Sequence, residues 1–76
     1  MHVLVIPKQH LGSLEEITQL PERVARRLLE VCSEVAEKLG VRDSGYAVRI
    51  NNGPHAGQGV FHLHLHVLGG KTLEMP

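Results

Sequence analysis

The sequence predicts an α+β fold, an antiparallel sheet with one long helix packed on it. Three observations predict it: an apolar stripe of helical period in mid-chain, β-branched and aliphatic runs on both sides, and strict alternation of polar and apolar residues near the end. At 76 residues the chain is long enough for one small domain, which we place at residues 1–76.

The first part of the chain contains a predicted strand and a short helix. Residues 2–6 are mostly β-branched or aliphatic and are closed by Pro7, which predicts a strand. Ser13 precedes Glu16 by three positions, the spacing of a capping box. We therefore expect a short turn of helix to begin near Ser13.

One long helix is predicted next. Pro21 suits the first turn of a helix, and Gly40 suits its C-terminal end. Between them, apolar residues recur every three or four positions, which is the spacing of one helix face. This stripe consists of Val24, Leu28, Val31, Val35 and Leu39. We expect it to pack on the sheet, with the charged residues of the opposite face in solvent.

Two further strands complete the predicted sheet. Residues 46–50 form the first, and residues 51–59, rich in Gly and Asn, form a long turn. Residues 60–68 form the last strand, which ends at Gly69 and Gly70. We expect the last two strands to pair antiparallel.

The last strand carries the most informative pattern in the chain. Three histidines alternate with apolar residues, so His62, His64 and His66 are predicted to share one face. The apolar positions predicted to point into the core are Phe61, Leu63, Leu65 and Val67. Because three adjacent imidazoles are costly to bury, we interpret their face as a reactive surface.

Composition limits the classes of partner. Eight basic residues offset eight acidic ones, so no excess charge points to nucleic acid or to a membrane surface. No apolar run approaches the ~20 residues of a membrane span. Cys32 is the one cysteine, which excludes an intrachain disulfide. We expect a cytoplasmic protein.

Three hypotheses can explain the histidines. The first is covalent catalysis, because a neutral imidazole is a good nucleophile toward phosphorus near pH 7. Neighbouring imidazoles can bind phosphoryl oxygens or assist a leaving group, and backbone N–H groups of the glycine-rich turn can cradle a phosphate. A second hypothesis is a metal site, and a third is a partly exposed polar face without chemistry.

A zinc site is the second hypothesis. Alternate residues on a strand lie ~6.6 Å apart, so His62 and His66 would be ~13 Å apart, too far to share one ion without strain. Two of the three histidines with His2 or His10 could still bind zinc.

The chain resembles a known family in three motifs that occur in the same order. His-Leu-His-Leu-His-Val-Leu at residues 62–68 resembles the His-φ-His-φ-His-φ-φ signature of the histidine-triad (HIT) family, and the Gly-Gly-Lys that follows resembles its Hint-like branch. Residues 2–8 resemble the family's strand before the main helix, and residues 51–61 resemble its phosphate loop. The resemblance implies an HIT-like sheet with one long helix.

The resemblance also implies an activity, a nucleotide hydrolase or transferase acting at the α-phosphorus of purine nucleoside phosphoramidates or adenylates. His64 matches the residue that attacks phosphorus and carries the nucleotidyl group. His66 matches the residue that contacts phosphate and assists the leaving group, and His62 matches the residue that orders the nucleophile. His2 matches an additional histidine near the triad. A nucleotide-binding module without turnover is the alternative.

For the loop, the resemblance implies contacts with substrate. Asn51 matches a polar residue near the phosphate ester, and Gly57, Gln58, Gly59 and Val60 match the phosphate-binding turn. We expect an AMP-like purine nucleotide as ligand, no metal or other cofactor, and a homodimer. Because relatives usually have a helix and strands ahead of the His2 strand, the resemblance implies an N-terminally shortened domain.

Overall fold

A computed structural model describes residues 1–73, so the last three residues of the predicted domain lie outside the described part. Strand β1 spans His2–Val5, a 3-10 helix spans Leu14–Gln19, and helix α1 spans Glu22–Lys38. Strand β2 spans Tyr46–Arg49, a second 3-10 helix spans Pro54–Ala56, and strand β3 spans Leu65–Gly69. The predicted α+β architecture is confirmed.

The last strand in the sequence is the central strand of the sheet. The strand order is β1-β3-β2, and β3 pairs antiparallel with both neighbours, as expected for the last two strands. His66 lies opposite Leu4 on β1 and opposite Arg49 on β2. Because side chains directly opposite each other share a face of the sheet, Leu4, His66 and Arg49 lie side by side.

Helix α1 covers one face of this sheet. Leu28, Cys32 and Ala36 are its buried residues, and Val24 and Val31 are partly buried against the core. Three residues of the predicted stripe, Val24, Leu28 and Val31, therefore contact the core. The helix ends at Lys38, and Gly40 follows with a φ of +74°, which favours glycine. Leu39, the last member of the predicted stripe, is 49% exposed because it lies beyond the last helical turn.

The capping pair near Ser13 starts a 3-10 helix rather than an α-helix. Ser13 Oγ accepts a hydrogen bond from the Glu15 backbone N–H at 3.3 Å. The Glu16 carboxylate accepts one from the Gly12 N–H at 3.1 Å, one residue before the position that a capping box uses. Ser13 thus satisfies one free N–H group at the beginning of this helix, and Asn52 Oδ1 accepts from another, the Leu14 N–H, at 2.8 Å.

The core lies between α1 and the covered face of the sheet. Its largest fully buried side chains are Leu11, Leu63, Leu65 and Val67. Gly69 is packed so closely that an added Cβ would lie 3.1 Å from the Val41 side chain. In residues 1–73, no helix is long and apolar enough to cross a membrane.

The prediction for the beginning of the histidine strand was wrong. Regular pairing begins at Leu65, not at residue 60, because β1 supplies its last partner at Val5 and β2 supplies its last partner at Arg49. Phe61 was expected in the core but is 64% exposed, since the alternation of a strand does not extend to it. Leu63 is buried nonetheless, and its backbone N–H donates to Leu11 O at 2.7 Å.

Candidate active site

The open face of the sheet carries His66. Alternation along β3 sends Leu65 and Val67 into the core and turns His66 to the side opposite α1. His2 lies diagonally across from it on β1, and the His2 Nε2 and His66 Nδ1 atoms are 2.7 Å apart. The His64 ring meets His66 edge-on, with centroids 4.9 Å apart. His2, His66 and His64 therefore form a continuous row of imidazoles, which we call the imidazole row.

One hydrogen bond fixes the tautomer of His64. Its Nδ1 lies 2.6 Å from the backbone carbonyl oxygen of His62. Because a carbonyl oxygen only accepts, Nδ1 carries the proton and donates it, and the neutral ring then has its lone pair on Nε2. The chain itself thus presents His64 with a free nucleophilic nitrogen.

The surroundings of His66 favour its neutral form. Burial is the main cause that lowers its pKa below 6.5, and the nearby His64, His2 and Arg49 lower it further. A neutral His66 has one N–H donor and one acceptor nitrogen. Nδ1 of His66 is hydrogen-bonded to His2 Nε2, as donor or as acceptor according to the tautomer. This leaves Nε2 of His66 for another group.

The His62 ring does not join the imidazole row. It packs edge-on against His10, with ring centroids 4.7 Å apart. Its Nε2 atom is buried and has no hydrogen-bond partner among residues 1–73. The triad expected on one face is therefore divided, and it is the backbone carbonyl of His62 that reaches His64.

No pattern in the sequence indicated a contact between His10 and His62. His10 follows β1 in a segment without regular structure, where no periodicity predicts the direction of a side chain. The backbone bond between Leu63 N and Leu11 O is what brings the two segments together.

The side chain of Gln58 organises the glycine-rich loop. It is 6% exposed, and its Oε1 accepts from the Gly53 N–H at 2.8 Å. Its Nε2 donates to Gly12 O at 2.7 Å and to Val60 O at 3.2 Å. All its hydrogen-bonding groups are used within the protein, so a contact of this side chain with substrate stays a prediction.

The neighbouring loop residues divide into held and exposed ones. Asn51 Nδ2 donates to Ala56 O at 2.9 Å, which closes the turn. Gly57, Gly59 and Val60 are exposed, and no atom lies within 4 Å of the position that a Cβ of Gly59 would occupy. The Gly57 N–H donates to Pro54 O at 3.1 Å and the Val60 carbonyl accepts from Gln58, which leaves the Gly59 backbone as the candidate contact for a ligand. A role of these residues in phosphate binding remains a prediction.

No metal centre is evident in the part of the chain that the structure describes. In residues 1–73, no group of three or more His, Cys, Asp or Glu side chains is arranged to hold an ion. The 2.7 Å separation of His2 Nε2 and His66 Nδ1 is that of a direct hydrogen bond.

Comparison with known proteins identifies relatives over most of the chain. A family model described as the HIT domain matches residues 1–73. An uncharacterised HIT-like protein of Synechococcus elongatus is 42% identical over 76 residues, which are 100% of this chain and 66% of that protein. The purine nucleoside phosphoramidase of Escherichia coli K12 is 33% identical over 72 residues, 95% of this chain and 60% of that enzyme. The chain thus spans slightly less than two thirds of the length of these relatives.

Solved structures of HIT proteins have the same fold as this chain. A HIT family hydrolase from Legionella pneumophila superposes with a TM-score of 0.93 at 30% identity, covering 100% of this chain and 68% of that one. A histidine triad protein from Clostridium difficile gives a TM-score of 0.86 at 36% identity, covering 99% of this chain and 65% of the other.

Proposed function

The chain belongs to the HIT domain family, and from that premise we propose that it hydrolyses a nucleotide at its α-phosphorus through a nucleotidyl intermediate on His64. The proposed substrates are purine nucleoside phosphoramidates or adenylates, and the similarity to the purine nucleoside phosphoramidase of Escherichia coli supports the first class. One observation carries the proposal, the 2.6 Å hydrogen bond from His64 Nδ1 to the carbonyl of His62. It leaves Nε2 as the nucleophile.

In the first step, the Nε2 lone pair of His64 forms a bond to phosphorus. The bond from phosphorus to the leaving nitrogen breaks, and that nitrogen takes a proton from solvent and departs as an amine. Positive charge develops on the His64 ring, and the His62 carbonyl that accepts from Nδ1–H stabilises it. The same hydrogen bond therefore fixes the tautomer of His64 before the attack and stabilises the positive charge on its ring afterwards.

His66 assists this step by donating a hydrogen bond. In the tautomer in which His2 Nε2–H donates to His66 Nδ1, His66 carries its own proton on Nε2 and can donate it to a phosphoryl oxygen or to the leaving nitrogen. The lowered pKa of His66 favours the neutral ring at pH 7, which suits a hydrogen-bond donor rather than a second permanent charge.

In the second step, water replaces His64 on phosphorus. The water oxygen bonds to phosphorus, the bond to Nε2 breaks, and the proton of the water leaves to solvent. The products are a nucleoside monophosphate and free His64. The exposed backbone of Gly59 supplies an N–H group of the kind that binds phosphoryl oxygens.

The proposal is tested by trapping the intermediate. Incubating the protein with adenosine 5′-phosphoramidate and quenching in alkaline denaturant should give a mass increase of one adenylyl group on a peptide that contains His64. His64→Ala should abolish the adduct and lower hydrolysis at least about a thousandfold, because removing a nucleophile removes the whole covalent pathway.

Two controls make this test specific. Gln19→Ala changes an exposed side chain outside both the imidazole row and the glycine-rich loop and should leave adduct and rate unchanged. Binding of AMP without any adduct would replace this proposal with the nucleotide-binding module, and stoichiometric zinc after dialysis would favour the metal site. Full hydrolysis by His64→Ala would contradict the role of His64.

We also propose that the protein is a homodimer. A pocket of about 230 Å³ beside α1 is lined mainly by apolar residues, among them Leu14, Ile17, Leu29 and Ile50, and Leu29 is 60% exposed. A second copy would bury this surface, and small domains gain needed stability in that way. Sedimentation of a well-folded, strictly monomeric chain would contradict dimerisation.

A further inference from the structure

Arg49 lies beside the imidazole row on the open face of the sheet. It is the last residue of β2 and sits directly opposite His66 on the central strand. Side chains at directly opposed positions of antiparallel strands have Cβ atoms ~4.5–5.5 Å apart. The guanidinium of Arg49 is therefore within reach of any group that binds at His66.

The charge of Arg49 is not compensated by an acidic neighbour. Other arginines, Arg26, Arg27 and Arg42, are paired with glutamates. By contrast, Arg49 has no carboxylate within 4.0 Å among residues 1–73, although it is exposed on a short strand. An exposed arginine without a partner is available to an external anion.

The paired strands place no acidic side chain on the sheet face around Arg49. Within these strands, the side chains on this face are His2, Leu4, Ala47, Arg49, His66 and Leu68. Because a guanidinium stays protonated at any pH near neutral, Arg49 is the permanent positive charge among these six residues. Its field also reaches the imidazole row, because it contributes to the lowered pKa of His66.

We propose that Arg49 determines specificity by binding an anionic group of the substrate's leaving group. This inference rests on the proposed function, in which His64 bonds to phosphorus and His66 can donate a hydrogen bond to the leaving nitrogen. Arg49 is opposite His66, so it is placed at the leaving-group side of the site. Its planar guanidinium suits two-pronged recognition of a carboxylate or of a further phosphate.

The test uses two substrates that differ in one charge. Adenosine 5′-phosphoramidate of alanine carries a free carboxylate in its leaving group, and its methyl ester does not. Arg49→Met removes the charge while it keeps much of the side chain's length. Charge-assisted hydrogen bonds contribute enough to predict a loss of about tenfold to a hundredfold in kcat/KM for the carboxylate substrate. For the ester, kcat/KM should change by less than about threefold.

Three further measurements sharpen the test. Arg49→Lys should retain part of the preference for the carboxylate substrate, because it keeps the charge but not the planar fork. Arg23→Met, which removes an exposed arginine of α1, should leave the preference unchanged. Added salt should weaken the preference of the unsubstituted protein, since exposed charges are screened.

The outcomes separate this inference from the proposed function. Equal losses on both substrates in Arg49→Met, or no loss on either, would overturn the assignment of Arg49 to the leaving group. If the unsubstituted protein hydrolyses neither substrate, the proposed function fails. NMR titration with the two compounds then tests whether Arg49 binds the carboxylate. Tighter binding of the carboxylate that Arg49→Met abolishes would support anion recognition, and equal binding of both compounds would exclude it.

Discussion

The two halves of the histidine segment are held in place by different interactions. Residues 65–69 form the central strand, whose backbone is paired on both sides with β1 and β2. Residues 60–64 lie outside the strands, and side chains and single hydrogen bonds position them. The bond from Leu63 N to Leu11 O at 2.7 Å and the contact of Gln58 Nε2 with Val60 O at 3.2 Å belong to this half.

The difference matters because the candidate nucleophile belongs to the irregular half. His66 sits on a ladder that depends little on side-chain identity, whereas His64 depends on the path of residues 60–64. That path lets the carbonyl of His62 turn toward His64 Nδ1, a contact within one short segment. The paired strand thus positions His66, and the unpaired segment before it sets the tautomer of His64.

The largest expected effect tests whether both halves share one core. Leu63→Ala and Leu65→Ala should each lower the free energy of unfolding by about 2–5 kcal/mol, because both side chains are at most 2% exposed. We expect the smaller loss for Leu63, since the irregular half can relax around the cavity. Phe61→Ala, at a side chain 64% exposed, should cost under ~1 kcal/mol. Urea unfolding followed by circular dichroism measures all three.

A different ranking of the three losses would contradict the assignment of the two halves. If Phe61→Ala cost as much as Leu65→Ala, Phe61 would belong to the core as its place in the alternation suggested. A Leu63→Ala loss clearly above that of Leu65→Ala would mean that the irregular half is the more rigid one.

An intermediate loss of stability is expected on substitution of Gln58, whose side chain is hydrogen-bonded to the irregular half, residues 60–64, and not to β3. Gln58→Ala removes hydrogen bonds to Gly53, Gly12 and Val60 and should lower the free energy of unfolding by about 1–3 kcal/mol. Amide hydrogen exchange should accelerate at Gly53 and in residues 60–64, while β3 amides change only with global stability. Gln19→Ala, at an exposed glutamine, serves as control. Equal acceleration in β3 would show that the two halves are one cooperative unit.

The smallest effect concerns the pH dependence of stability through His66. Its pKa is lowered in the folded protein from 6.5, mainly by burial, so below about that pH the unfolded chain binds a proton that the folded chain resists. The free energy of unfolding should therefore fall as pH decreases from 7 toward the folded pKa, and His66 contributes its full stability above 6.5.

The measurement compares unfolding of the parent and of His66→Gln between pH 7.5 and 5.5, the window of about one unit on each side of a histidine's ordinary pKa. The slope should be smaller in His66→Gln, whereas Gln19→Ala, at an exposed side chain without an ionisable group, should keep the parent's slope. An NMR titration that places the pKa of His66 above 6.5 would reverse the predicted sign.

Local patterns in the sequence determined much of the fold. The helical stripe predicted α1 and its buried Leu28, and alternation predicted that Leu65 and Val67 face the core while His66 faces outward. Such patterns are reliable because a helix or strand repeats its geometry over a few residues, so the periodicity of burial is written locally. The motif order also identified the family.

Only the tertiary structure decided where β3 begins and which side chains meet in the site. The contact of His2 with His66 spans 64 residues, and the pairing of Arg49 with His66 depends on the register between two strands. Neither is encoded by nearby residues, because register and strand length are set by partners elsewhere in the chain. For the same reason, alternation alone placed Phe61 in the core, whereas the end of β1 at Val5 left that segment unpaired and Phe61 exposed.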